Sequence, residues 1–406
     1  MKNSVKSDLS IDSLALICLV FLILSSVFPL ITLYGNNALL CLVFELLWLC
    51  LAFIQSKETI CNVINRYWYT IPYALYIVLI PYVCGNAHIG NRYMYTLGLV
   101  FGLYIYSYYS KMDNIKIIIK AVTISVPFFA YTFFKTYQVA VTNPWVLRGA
   151  YSSSSDVLSR GAGGYHFIYL ITIIYAVLIN YTISKHKIKM RIIAFLLSIL
   201  IIGLIIMSNY LTALIICMIS TALSLLLKLK RKPALLFTAM LCFILLFSFV
   251  SSDDIRSGFL GILTPSGRIS NTLSNSNKTM LASFIDEFLR DRWPVNKISI
   301  DAYFRNPILG LVTSPIENNG VYDTAYGQHS YIFDTFALYG TLVGVVSVIN
   351  LIKISKLYPD NLKEYRYIIG VPLILICVFN NITHSIAICA TLIMPSIIFC
   401  FLSKEE

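Results

Sequence analysis

Residues 192–227 read IIAFLLSILIIGLIIMSNYLTALIICMISTALSLLL, with no charge between Arg191 and Lys228. The apolar runs Ile192–Met207 and Leu211–Leu227 are separated only by Ser208-Asn209-Tyr210. As α-helices rising about 1.5 Å per residue, each comes close to the roughly 30 Å of a bilayer's hydrocarbon core. The stretch is therefore a hairpin of two membrane spans. Runs of the same kind recur from one end of the chain to the other. Of its 406 residues 58% are hydrophobic and 12% charged, with a mean hydropathy of +0.77. A soluble protein would carry about 25% charge, so a water-soluble enzyme is excluded.

Hydropathy predicts an all-α polytopic membrane protein with about twelve transmembrane helices. Before the hairpin these are Leu14–Leu33, Ala38–Ile54, Tyr69–Val83, Tyr93–Tyr109, Ile117–Thr136 and Tyr165–Ile183. After it come Pro233–Ser251, Tyr331–Ile352, Tyr367–Ile382 and Ile386–Leu402. The first span follows Lys2 and Lys6 but lacks a small-residue cleavage site, so it reads as a retained span rather than a signal peptide. Residues 1–251 then hold nine spans with an outer loop at 137–164, residues 252–330 form a large extracytoplasmic loop, and residues 331–406 hold three more spans.

Lysine and arginine set the orientation. With the N-terminus inside, twenty of the 31 cations lie in cytoplasmic segments, both termini are cytoplasmic, and both larger loops face outward. The two sides also use different cations. The inner set is mostly lysine, whereas the outer set holds Lys135, Lys278 and Lys297 beside Arg92, Arg148, Arg160, Arg256, Arg268, Arg290, Arg292 and Arg305. Topology needs only positive charge, but a guanidinium fork suits bidentate recognition of phosphate. The outward arginines either hold an anionic group at headgroup level, a lipid-linked phosphate being the obvious one, or pair with Asp253, Asp254, Asp286, Glu287, Asp291 and Asp301 of the same loop. The net charge of +12 does not point to nucleic acid, because the cations are scattered between spans. The ten cysteines show no CxxC or Cys/His spacing, and the sequence implies neither a metal nor a cofactor.

Within the large loop, Leu281, Phe284, Ile285, Phe288 and Leu289 recur on one helical face. With Trp293 at its end and Pro294 to stop it, this reads as an amphipathic helix on the membrane surface or a lid over the spans. Asp286 and Arg290 are spaced to pair with each other.

Short motifs surround this helix. Ser266-Gly267-Arg268 precedes it; Arg305-Asn306-Pro307-Ile308-Leu309-Gly310 follows, and then His329-Ser330-Tyr331 with Leu338-Tyr339-Gly340 and Gly344. Earlier, Ser159-Arg160-Gly161-Ala162-Gly163-Gly164-Tyr165-His166 leads into the sixth span. In this order, with a long outer loop late in the chain, the sequence resembles the O-antigen polymerase (Wzy) and O-antigen ligase superfamily over roughly residues 150–350. It departs from that pattern at Asn209-Tyr210, where many relatives carry a serine- and arginine-rich hairpin, so this hairpin is given no phosphate contact.

The resemblance implies glycosyl transfer without metal or nucleotide sugar. A glycan on undecaprenyl diphosphate is the donor, and an acceptor hydroxyl attacks its anomeric carbon. The leaving diphosphate gains charge as the bond breaks, so preorganised cations stabilise the transition state. The matched segments supply Arg160, Arg268 and Arg305 for that role. His329, just before the tenth span, is the candidate to act on the acceptor, as base or by positioning the hydroxyl; its bland alternative is a helix cap. The macrodipole at a helix N-terminus disfavours imidazolium and keeps the ring able to accept a proton. Arg290, Asp334 and His166 are secondary candidates, and Glu45 is a carboxylate in mid-span.

The expected activity is a polymerase that joins lipid-linked repeat units at the outer face of the bacterial cytoplasmic (inner) membrane. A flippase and a chain-length regulator are the protein partners this implies. The ligase of the same superfamily, which moves the chain onto lipid A core, shares the donor chemistry. A lipid-linked oligosaccharide flippase is the competing class. Against it stand the lack of an internal repeat and of Gly/Pro-broken spans at matching positions.

Overall fold

A computed structural model describes residues 2–31, 38–87, 89, 96–147, 154–184, 187–208, 210–228, 293–314, 316, 330–358, 363–380 and 384–402. Among them the chain is helical, with no strand. Helices α1 (Lys2–Val27), α2 (Ala38–Arg66), α3 (Thr70–Val83), α4 (Leu97–Lys111), α5 (Lys116–Thr142), α6 (Tyr165–Ile183), α7 (Ile188–Met207) and α8 (Leu211–Lys228) precede the large loop. Then come α9 (Trp293–Arg305), α10 (Tyr331–Ser355), α11 (Lys363–Phe379), α12 (His384–Ile388) and α13 (Met394–Leu402), the last two joined by a π-helical turn at Cys389–Ile393. By length and composition α2, α5, α6, α7 and α10 are apolar enough to cross a membrane. This is the architecture of a polytopic membrane protein. The expected span Pro233–Ser251 and residues 281–292 of the expected amphipathic helix lie outside the described residues.

Lipid tails are as apolar as leucine, so helices in a bilayer associate by close packing rather than by escape from water. α6 fills the centre: every side chain from Phe167 to Leu178 is buried, against α7, α8, α11 and α12. α7 is just as apolar yet peripheral, and it leaves Ile192, Leu196 and Leu200 exposed on a face suited to lipid. α2 breaks at Ser56 (φ −155°, ψ 88°), just past the expected span end at Ile54. The Ser56 hydroxyl accepts from the Thr59 amide at 3.4 Å and starts the segment that carries Lys57 and Arg66.

Polar contacts define two ends of the bundle. At one, Lys228 closing α8 grips Glu364 in the first turn of α11, with Nζ 2.7 Å from Oε1. Here Arg191 Nε donates to the Thr182 carbonyl of α6 (2.9 Å), and Arg366 donates to the Tyr358 carbonyl just beyond α10 (3.0 Å). These cations neutralise carbonyls that helix C-termini leave without partners. At the opposite end, Tyr210 Oη donates to the Leu147 carbonyl (2.8 Å), the Gly163 amide to Thr136 Oγ1 (2.8 Å), and the Tyr331 amide to the Asn380 carbonyl (3.0 Å). These are the lysine end and the loop end.

One expectation needs correction. The tenth span, read as one rod over Tyr331–Ile352, is folded. At Gly340 the backbone takes φ 74° and ψ −174°, and the arms 331–339 and 341–355 turn back on each other. Tyr73 Oη lies 3.2 Å from Tyr331 Oη and 3.2 Å from Ser347 Oγ. In a straight helix residues 331 and 347 would stand about 24 Å apart. The Phe336 ring likewise covers Gly344, where a Cβ would come within 2.5 Å of it. Pro294, expected to stop the helix before it, lies at the edge of the described residues in α9, and the residues it would close off lie outside them.

Candidate functional site

α9, the following turn and both arms of α10 form one unit against α3 at the loop end. Its centre is a backbone joint. The Pro307 carbonyl accepts from the Thr341 amide (2.8 Å) and from Thr341 Oγ1 (2.7 Å), while Tyr303 Oη lies 2.9 Å from the same hydroxyl. Gly310 (φ 78°) and Gly340 (φ 74°) abut there, both in the left-handed region that costs glycine little. A Cβ on Gly310 would lie 2.2 Å from the Leu338 oxygen, and one on Gly340 would lie 2.2 Å from the Ile308 oxygen. The Asn-Pro-x-x-Gly and Leu-Tyr-Gly-x-x-x-Gly segments are thus two halves of one contact, and Gly344 adds the space that Phe336 fills.

Asn86, beyond the end of α3, holds the next piece of chain. Its Nδ2 donates to the Val312 carbonyl (2.8 Å) and the Ser314 carbonyl (2.9 Å), and its Oδ1 accepts from the Ile316 amide (3.0 Å). One side chain so replaces the partners a neighbouring strand would supply. Tyr76 Oη adds a bond to the Leu309 carbonyl at 2.6 Å. Reading the sequence did not single out Asn86, because its partners are main-chain groups that leave no mark in side-chain identity.

The start of α10 is closed. Ser330 Oγ accepts from the Phe333 amide (3.2 Å) and donates to the Cys377 carbonyl (3.3 Å), a cap of the usual serine kind. Asp334, buried in the first turn, accepts from Ser299 Oγ of α9. A carboxylate there suits the helix dipole. With these amides bonded and a carboxylate in place, this helix start is a poor phosphate cradle, so side-chain cations would have to do that work.

Arg305 ends α9 and is exposed, on the same unit as Asp334 and Ser330. Arg160 is exposed in the turn before α6, on another package; α11 touches both α6 and α10 and lies between the two. His166, the second residue of α6, sits edge-on to Tyr165, its Nδ1 buried and without a hydrogen-bond partner among the described residues. Arg268, Arg290 and His329 lie outside the described residues. Glu45 is 2% exposed within α2. One residue was not anticipated. The Asn380 amide, at the foot of Ser330 and Tyr331, is fully buried with neither polar atom bonded among the described residues. An orphan amide costs about 1–3 kcal/mol, so such a position invites a water or a ligand hydroxyl.

The chain matches no protein-family model, no curated protein and no solved structure.

Proposed function

We propose that this chain is a polysaccharide polymerase of about twelve spans, with both termini in the cytoplasm, in the bacterial inner membrane. It transfers a glycan from undecaprenyl diphosphate to the non-reducing end of another lipid-linked repeat unit at the outer face. The acceptor oxygen bonds the anomeric carbon as the carbon–oxygen bond to diphosphate breaks, and the electron pair leaves on the diphosphate. Arg160, Arg268 and Arg305 hold that departing charge. His329 takes the acceptor proton or fixes the hydroxyl for attack.

The observation that carries this reading is the joint at Gly310 and Gly340. Two motifs quoted for the resemblance depend on each other sterically, with Arg305 on one half and Ser330, the neighbour of His329, on the other. The test is reconstitution with purified undecaprenyl-diphosphate repeat units and no nucleotide. Wild type is expected to convert single repeats into a ladder. His329→Ala should slow laddering by about 10²- to 10⁴-fold, and Arg268→Ala by about 10²- to 10³-fold. Laddering that survives both substitutions removes the site assignment. A single mass shift onto lipid A core in place of a ladder would make the chain a ligase. The folded α10 favours one other reading, since discontinuous helices are a device of transporters. A flippase would accumulate substrate inside vesicles without changing its length.

A further inference from the structure

The face of α5 that leads to the Arg160 turn carries a second cation. Ile124, Phe128, Tyr131 and Lys135 follow at i, i+4, i+7 and i+11, one stripe of the helix. The first three are 41%, 36% and 43% exposed. Phe28, just beyond α1, meets Phe128 and Tyr131 edge-on at ring separations of 5.1 and 5.9 Å, which widens the apolar stripe. At its loop end Lys135 Nζ stands 6.0 Å from the centre of the Tyr131 ring.

The Arg160 turn docks at the same place. Gly161 packs so closely on the Tyr131 ring that a Cβ would lie 3.0 Å from the phenol oxygen. The Gly163 amide bonds Thr136, the residue after Lys135. Lys135 therefore lies along α5 between the two residues that fasten the turn carrying exposed Arg160. Among the side chains that the structure describes, neither cation has a carboxylate partner. A single lysine above an apolar helix face suits any lipid headgroup. A lysine next to a docked turn that carries an arginine offers a point charge and a fork from one place, which matches two linked phosphates.

We infer that Lys135 and Arg160 together bind the diphosphate of a single-chain polyprenyl lipid whose first isoprene units lie along Ile124, Phe128 and Tyr131. The inference rests on the polyprenyl-linked donor proposed above and adds Lys135, with its stripe, to that donor's site. Lys135 positions the leaving group; it does not touch the acceptor.

The test is native mass spectrometry of the full-length protein in detergent, with undecaprenyl diphosphate, phosphatidylglycerol and inorganic pyrophosphate as separate probes. Wild type is expected to retain the polyprenyl diphosphate where the other two are lost. Lys135→Gln and Arg160→Gln should each weaken retention by about tenfold, the loss of one charge-assisted bond, and Lys135→Arg should restore most of it. Equal retention of phosphatidylglycerol would show a general lipid face, and equal retention of pyrophosphate a site indifferent to the chain; either overturns the proposal. The same preparations are assayed for laddering. If ladders form with an unchanged donor KM in Lys135→Gln, this inference falls and the polymerase reading stands. If retention depends on Lys135 but no transfer product forms, the polymerase reading falls and the lipid site stands.

Discussion

The two ends of the bundle are closed by different chemistry. At the lysine end, long side chains reach helix termini: Arg191 to Thr182, Arg366 to Tyr358, and Lys228 to Glu364. Such contacts follow a helix that shifts by an ångström, because a flexible stem lies between charge and backbone. At the loop end, main chain meets main chain at Gly310 and Gly340, and Asn86 pairs with three backbone groups. A contact of that kind has no slack. One end keeps the helices together, and the other keeps particular atoms in particular places.

The contrast can be broken experimentally, beginning where the effect is greatest. Gly340→Ala places a Cβ 2.2 Å from a backbone oxygen, in a left-handed conformation. It should cost more than about 4 kcal/mol, in the range reserved for disrupted backbone. Size-exclusion profiles and melting in detergent would read this as a loss of folded protein; wild-type yield would mean the joint is not formed as described. Asn86→Ala removes three hydrogen bonds and strands the buried Val312 carbonyl, for about 1–3 kcal/mol. It should also open residues 311–316 to limited proteolysis while the helices stay protected. Lys228→Ala should cost about 1 kcal/mol or less, since the pair with Glu364 is about 30% exposed. High salt should mimic it in wild type. A Lys228→Ala melt as damaging as that of Gly340→Ala would erase the distinction between the ends.

What the sequence made legible follows from where its information lies. Runs such as Ile192–Met207 announce helices because every residue contributes to the signal, and the chain is helical there. The expected span ends at Ile54, and α2 breaks two residues on, at Ser56. The fold in α10 was not, because apolar length reads the same for a straight helix and for two arms laid side by side. Gly340 turns the chain only in company with Pro307 and Gly310, some thirty residues upstream, and no local pattern encodes that partnership. Of the candidate site, Arg305 and Asp334 were named from separate motifs, and the packing of α9 on α10 is what puts them on one unit. Lys135 drew no notice because a lone lysine beside a span looks like a topology signal; the docking of the Arg160 turn on Tyr131 and Thr136 is legible only in the fold.

The reversal at Gly340 also bears on the surrounding lipid. The arm 341–355 spans only about 22 Å, some 8 Å less than an ordinary hydrocarbon core, and Leu342 and Val345 expose one side of it. A bilayer meeting that side would thin locally, or side chains at the arm's ends would snorkel to reach the interface. A lipid headgroup beside so short an arm would lie nearer the midplane than one in the open bilayer.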